Sequence, residues 1–376
     1  MLDDVTTINA VSGGSFTAAY YCLYGDRIFT DYERLFLRSN VQDALIRGWL
    51  SPPNTVRLLS PYFGRSDLAA EYFDKLLFHG ATFGDLLKAG QNLPFLVINA
   101  TNISTGTPLQ FTQDQFDLIG SDLSRYPISR AVAASSAVPL LFTPITLKNY
   151  ADRVTVADSF LLQTAGTSDV FSSYRATLTE NSLGYRDVTK QPYVHLMDGG
   201  LADNLSLRNL LDSVTLAGGW QTLLNRLHTR GIDKLAIVVV NASVDDRRDW
   251  AQTEKVPGFA SVIKALANSS VNRATKETVA LVEDSLASWQ ALRPATPGQS
   301  KIYFIRVDFR DSKDPAERAF FDAVPTNLAL PTETTERLIK GGERLLRESP
   351  AFQELLSDLG TRRIVRDGPD TPAHSP

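Results

Sequence analysis

The chain has 376 residues, 43% of them hydrophobic and 21% charged, with a formal net charge of −4. That is enough apolar material for a large buried core, and so balanced a charge excludes a nucleic-acid footprint and implies no strong overall attraction to anionic lipid. A single cysteine rules out an internal disulfide and a cysteine zinc cluster, and four scattered histidines give no metal or cofactor to expect.

From the N-terminus, Val5 to Val11 reads as a strand and Phe16 to Tyr24 as a helix, with Ala10-Val11-Ser12-Gly13-Gly14-Ser15 at the corner between them. A serine among small residues at a strand-to-helix turn exposes a hydroxyl nucleophile, because bulkier neighbours would block the turn and the substrate. Ser12 is the candidate; Cys22, on the following helix, has a buried apolar role. Asp31 to Arg38, Ser66 to Phe78 and Thr82 to Lys88 have helical spacing, with Leu68, Tyr72, Phe73, Leu76 and Leu77 as one buried stripe. Leu93 to Ala100 is a strand. Ile128 to Ala137 is a helix of small residues ended by Pro139, whose Ser135 and Ser136 serve close packing rather than nucleophilic attack.

Asp158 to Lys190, with Phe160, Leu161, Leu162, Phe171, Tyr174 and Tyr185, reads either as a loop over the site touching acyl chains or as an ordinary surface insertion. It precedes His195-Leu196-Met197-Asp198-Gly199-Gly200, where an acid follows an apolar strand and two glycines keep its carboxylate accessible, as a general base needs. Asp203 and Asn204 suit the N-cap of the next helix. Leu205 to Leu216 and Trp220 to Arg230 are helices broken at Gly218-Gly219, the second closed by Gly231. Lys234 to Asn241 is a strand whose apolar run predicts burial on both faces. Asp245 to Gly258 is polar, and its Trp250 reads either as an anchor at a lipid interface or as a side chain that packs locally. A long helix runs from about Phe259 to Arg293, Lys301 to Phe309 is a further strand, and the tail after Arg362 is disordered. Strands separated by helices predict an α/β fold with a largely parallel sheet.

Four blocks together resemble the patatin-like phospholipases: Ala10-Val11-Ser12-Gly13-Gly14; Val97-Ile98-Asn99-Ala100-Thr101-Asn102 with Thr105-Gly106; Ser129 to Pro139; and Asp198-Gly199-Gly200. They span residues 5 to about 210. The resemblance implies a three-layer α/β/α sandwich and a Ser-Asp dyad without a catalytic histidine. Ser12 matches the nucleophile and Asp198 the base, supported by Gly199 and Gly200. It implies a serine acyl hydrolase acting through an acyl-enzyme on phospholipids, lysophospholipids or related esters, with transient contact to a membrane surface.

Two departures stand out. Ala10 replaces a glycine, which is tolerable where φ stays negative. The glycine-rich oxyanion loop that the resemblance places upstream of the nucleophile has no counterpart, since none of the eleven residues before Ser12 is glycine. The expectation is an N-terminally incomplete catalytic core over residues 1–215, with Gly13 and Gly14 as the remaining oxyanion donors. A C-terminal continuation of the α/β domain follows over 216–362, and a tail over 363–376. No signal-peptide pattern or membrane-spanning run is present, and an export signal would have gone with the upstream segment. Two other readings stay open: a Ser12–His228–Asp198 triad, and a non-catalytic member that binds lipid or a partner.

Overall fold

A computed structural model of the chain describes residues 2–88, 93–153, 172–228, 231–232, 234–243, 254–256, 258–291 and 301–360. The chain forms the expected α/β sandwich. Its N-terminal sheet contains β1 (Thr7–Val11), β2 (Phe95–Asn102), β3 (Thr107–Gln110), β4 (Ile145–Lys148) and β5 (Tyr193–Asp198). The sheet is mixed: β1 runs parallel to β2, whereas β3 and β5 run antiparallel to β2, and β4 antiparallel to β5. The short turn at 103–106, with Gly106 at φ +71, makes β2 and β3 a hairpin, which can only be antiparallel.

Backbone parity on β2 explains how the site arises. Phe95 N donates to Thr6 O, and Ile103 N donates to His195 O. Those two donors are an even number of residues apart, so they point to the same edge, while Ile98 O accepts from Phe111 N on the opposite edge. β1 and β5 therefore lie end to end along one edge of β2. β1 reaches Asn99 with Val11, and β5 arrives from the other direction, reaching Ala100 with Asp198. Their C-terminal ends meet.

Helices α1 (Gly14–Tyr24), α2 (Val41–Leu50), α3 (Pro52–Arg57) and α4 (Arg65–Phe73) follow β1, and α4 runs into a π-helical turn, Asp74–Phe78. The expected stripe buries Leu68, Phe73 and Leu77 fully and Tyr72 and Leu76 in part. After α5 (Phe83–Lys88) and α6 (Gln113–Leu118) comes α7 (Ile128–Ser135), whose small residues bring its backbone onto β2, β5 and α1. This core includes Phe16, Tyr20, Phe73, Ile98, Phe111 and Val132.

The remaining chain builds α8 (Ser172–Gly184), α9 (Gly200–Asp203), α10 (Leu207–Ala217), α11 (Trp220–His228), β6 (Lys234–Asn241), α12 (Phe259–Ala291) and β7 (Lys301–Asp308). It ends in α13 (Pro315–Asp322), α14 (Thr332–Glu348) and α15 (Pro350–Asp358). β6 and β7 pair in parallel as a second, two-stranded sheet. One face packs Val239 and Ile302 against Val214, Leu224 and Val282 of the helices. The expectation that β6 is buried on both faces is overturned: Val238 is 51% and Val240 67% exposed. The cause is coverage, because α14 and α15 pack on β7, where Tyr303 and Ile305 meet Leu355.

Candidate active site

Ser12 sits in the left-handed region at φ 51, a conformation that costs a serine roughly 1 kcal/mol or more and persists only where surroundings enforce it. They do so here through hydrogen bonds. Ser12 N donates to Ser135 Oγ at 2.9 Å, and Ser12 O accepts from Ser15 N at 3.0 Å and Ser15 Oγ at 2.5 Å. Ser135 Oγ donates onward to Asn99 O at 2.7 Å, so one hydroxyl of α7 ties the elbow to β2. Ala10 stays in β1 opposite Ile98 and is absent from the positive-φ positions, so its methyl group is accommodated.

Asp198 ends β5 with every polar group engaged. Its N–H donates to Ala137 O at 3.0 Å, and its carbonyl accepts from Thr101 Oγ1 at 2.8 Å. Oδ1 accepts from Gly200 N at 2.8 Å, and Oδ2 accepts from Ser12 Oγ at 2.7 Å. Burial pushes the carboxyl up to about 6, against the opposing pull of the Ser12 and Gly200 hydrogen bonds. Gly199 is fixed by close approach: a Cβ there would lie 2.3 Å from Asn99 O. A Cβ on Gly200 would lie 2.8 Å from Asn204 Oδ1 and 3.1 Å from Asp198 Oδ1. Gly13 and Gly14, at the start of α1, face open space instead, with nothing within 4 Å of an added Cβ. Their backbone is thus approachable from outside.

Asn99, buried in β2, is the hub beneath the pair. Its Nδ2 donates to Ala10 O at 3.2 Å and Ser206 Oγ at 2.9 Å, and its Oδ1 accepts from Asn209 Nδ2 at 2.6 Å. Sequence reasoning quotes Asn99 but gives it no role, and reads Ser135 as packing alone. The signal for Asn99 was available: an amide inside an otherwise apolar strand must find partners.

The other candidates separate cleanly. His195 faces away from Asp198, its Nδ1 2.9 Å from Thr146 Oγ1 on the paired strand. His228 ends α11, and its side chain lies outside the described residues. No histidine stands between Ser12 and Asp198, whose contact is direct. Asp203 caps α10, accepting from Arg208 N at 2.9 Å, whereas Asn204 does not cap and donates to Ser243 Oγ instead. Ser136 bonds back to Val132 O within its own helix. Cys22 is buried, which pushes its thiol up to about 12.

Of the segment Asp158 to Lys190, residues 158–171 lie outside the described residues, as does Trp250. The rest is not an extended loop: 172–184 is helical, Tyr185 is buried with its hydroxyl accepting from Asn102 Nδ2, and Tyr174 donates to Asp212.

The family model for patatin-like phospholipases matches residues 1–211, more than half of the chain, and includes Ser12, Asn99, Ser135, Asp198 and Asn209. The chain belongs to the patatin-like phospholipase family. No curated protein and no solved structure matches it. Patatin-like membership gives lipid acyl hydrolase as the coarse functional class.

Proposed function

We propose that this patatin-like chain hydrolyses acyl esters of phospholipids, lysophospholipids or related lipids by a Ser12–Asp198 dyad through an acyl-enzyme. The observation that carries the reading is the 2.7 Å hydrogen bond from Ser12 Oγ to Asp198 Oδ2 at a conformationally constrained elbow. Ser12 Oγ attacks the ester carbonyl while Asp198 takes its proton. Collapse of the tetrahedral intermediate breaks the bond to the leaving alkoxide, which receives that proton, and leaves the acyl group on Ser12. Water then attacks, again deprotonated by Asp198, and its proton returns to Ser12 Oγ as the fatty acid departs. The Gly13 and Gly14 N–H groups, at the positive end of α1, are the donors this reading assigns to the oxyanion.

The test is hydrolysis of a short-chain ester by the wild type, Ser12→Ala and Asp198→Ala, with folding checked by circular dichroism. Turnover should fall about 10⁴-fold in either variant, and a fluorophosphonate should label the wild type but not Ser12→Ala. The acid limb of the pH profile should follow the carboxyl near pH 6, activity rising as Asp198 loses its proton. His228→Ala should keep its activity; a comparable 10⁴-fold loss there would restore the triad. A folded wild type that is neither labelled nor active would leave a lipid- or partner-binding member of the family.

A further inference from the structure

Phe29, Leu87 and Phe95 are exposed singly on the N-terminal half, whereas six other large apolar side chains gather on one segment and one loop. Leu50, Val56, Leu59 and Tyr62 are 69–95% exposed along the end of α2, α3 and the turn after it. Leu140 and Leu141, on the loop after α7, are also exposed, and Leu140 holds φ 73, strained for a leucine. The two parts are one physical unit. Arg65 donates to Leu140 O at 3.1 Å and lies over the Trp49 ring, which meets Phe142 edge to face. Ser66 Oγ donates to Thr143 O at 2.5 Å. Isolated exposed leucines mean little, but clustered ones mark a surface that meets something apolar.

Charge selects the occupant. From residue 44 to 66 the sequence holds Arg47, Arg57 and Arg65 and no carboxylate, and from 138 to 149 it holds Lys148 and no carboxylate. Arg57 is paired with Glu71 and Arg130 with Asp67 of the packed helix α4, so the surplus positive charge of this face rests on Arg47 and Arg65. Although the whole chain carries −4, this face is apolar and basic, which suits the headgroup boundary of an anionic bilayer. Its position fits as well. Leu140 is three residues, at most about 11 Å of chain, from Ala137, whose carbonyl anchors Asp198 N.

We propose that the surface formed by residues 50–62 and the Leu140–Leu141 loop docks on an anionic phospholipid bilayer, inserting those side chains beside the Ser12–Asp198 site. The orientation it gives, with the site toward the lipid, rests on the hydrolase reading; the docking itself does not. It is tested by co-sedimentation of the full chain with vesicles of phosphatidylcholine, alone or mixed with phosphatidylglycerol. The proteins compared are the wild type, a Leu59→Asp/Tyr62→Asp double variant and a Leu140→Asp/Leu141→Asp double variant. A Val238→Asp/Val240→Asp variant is the control at the other exposed apolar face.

The wild type should bind the mixed vesicles and bind the neutral ones less, and Ser12→Ala should bind as the wild type does. Each of the first two double variants should lose about tenfold or more in binding, while the β6 control should not. Hydrolysis of a soluble ester should be unchanged in both. Equal binding by wild type and these variants, or equal binding to neutral and anionic vesicles, overturns the proposal even if the enzyme is active. Loss of binding in the two variants of a chain that hydrolyses nothing upholds the docking surface and defeats the hydrolase reading instead.

Discussion

β2 and β6 are both eight-residue apolar strands, yet β2 is buried at every position after its first while β6 leaves alternate residues in the open. β2 has β1 and β5 on one edge, β3 on the other and α7 across it; among the described residues β6 pairs with β7 alone. Composition states what a strand is able to bury, and neighbours decide what it does bury. The difference extends to chemistry: a buried amide is affordable in β2 because Ala10, Ser206 and Asn209 satisfy it.

Substitutions should break this contrast in a graded way. Gly199→Ala drives a methyl group into Asn99 O and should cost about 3 kcal/mol or more, read by urea denaturation. Asn99→Ala strands Asn209 and Ser206 and should cost about 2–3 kcal/mol, with activity falling as the elbow loosens. Asp198→Asn should do the opposite to stability. Its carboxyl is raised from 3.8 to about 6 in the fold, so between those values the native state binds more protons than the unfolded state. Native stability therefore falls as pH rises through that window, and the neutral amide should gain about 1–3 kcal/mol at pH 8 while abolishing turnover. Denaturation midpoints at pH 4 and pH 8 would show a smaller difference for the variant; an equal or larger one would refute it. Val240→Thr, on the open face of β6, should change stability by no more than about 0.5 kcal/mol.

The two ends of the Ser12–Asp198 contact were legible because glycines announce them: Ser12-Gly13-Gly14 and Asp198-Gly199-Gly200 carry a local constraint that a sequence can display. The tethers were not. Ser135 looks like any small helical residue, and its significance lies in a hydrogen bond spanning 123 positions. The strands at 95–102, 234–241 and 301–308 were readable from apolar runs, but the exposure of Val238 was not, since nothing in β6 reveals how far α14 and α15 reach. The segment 172–184, rich in Ser and Thr, folds as helix rather than loop because packing such as that of Tyr174 on Asp212 outweighs weak local preference.

The end-to-end meeting of β1 and β5 makes β2 a ruler. Ser12 and Asp198 are 186 positions apart in the chain, yet their spacing is set by two adjacent backbone positions, Asn99 and Ala100. Loops between them are free to lengthen or shorten over evolutionary time without moving either oxygen. One residue inserted into β2 between its two pairing zones would open the pair by about 3.3 Å and turn every later side chain to the opposite face. The protected reading frame of this fold is thus a strand that supplies neither of the two side chains it aligns.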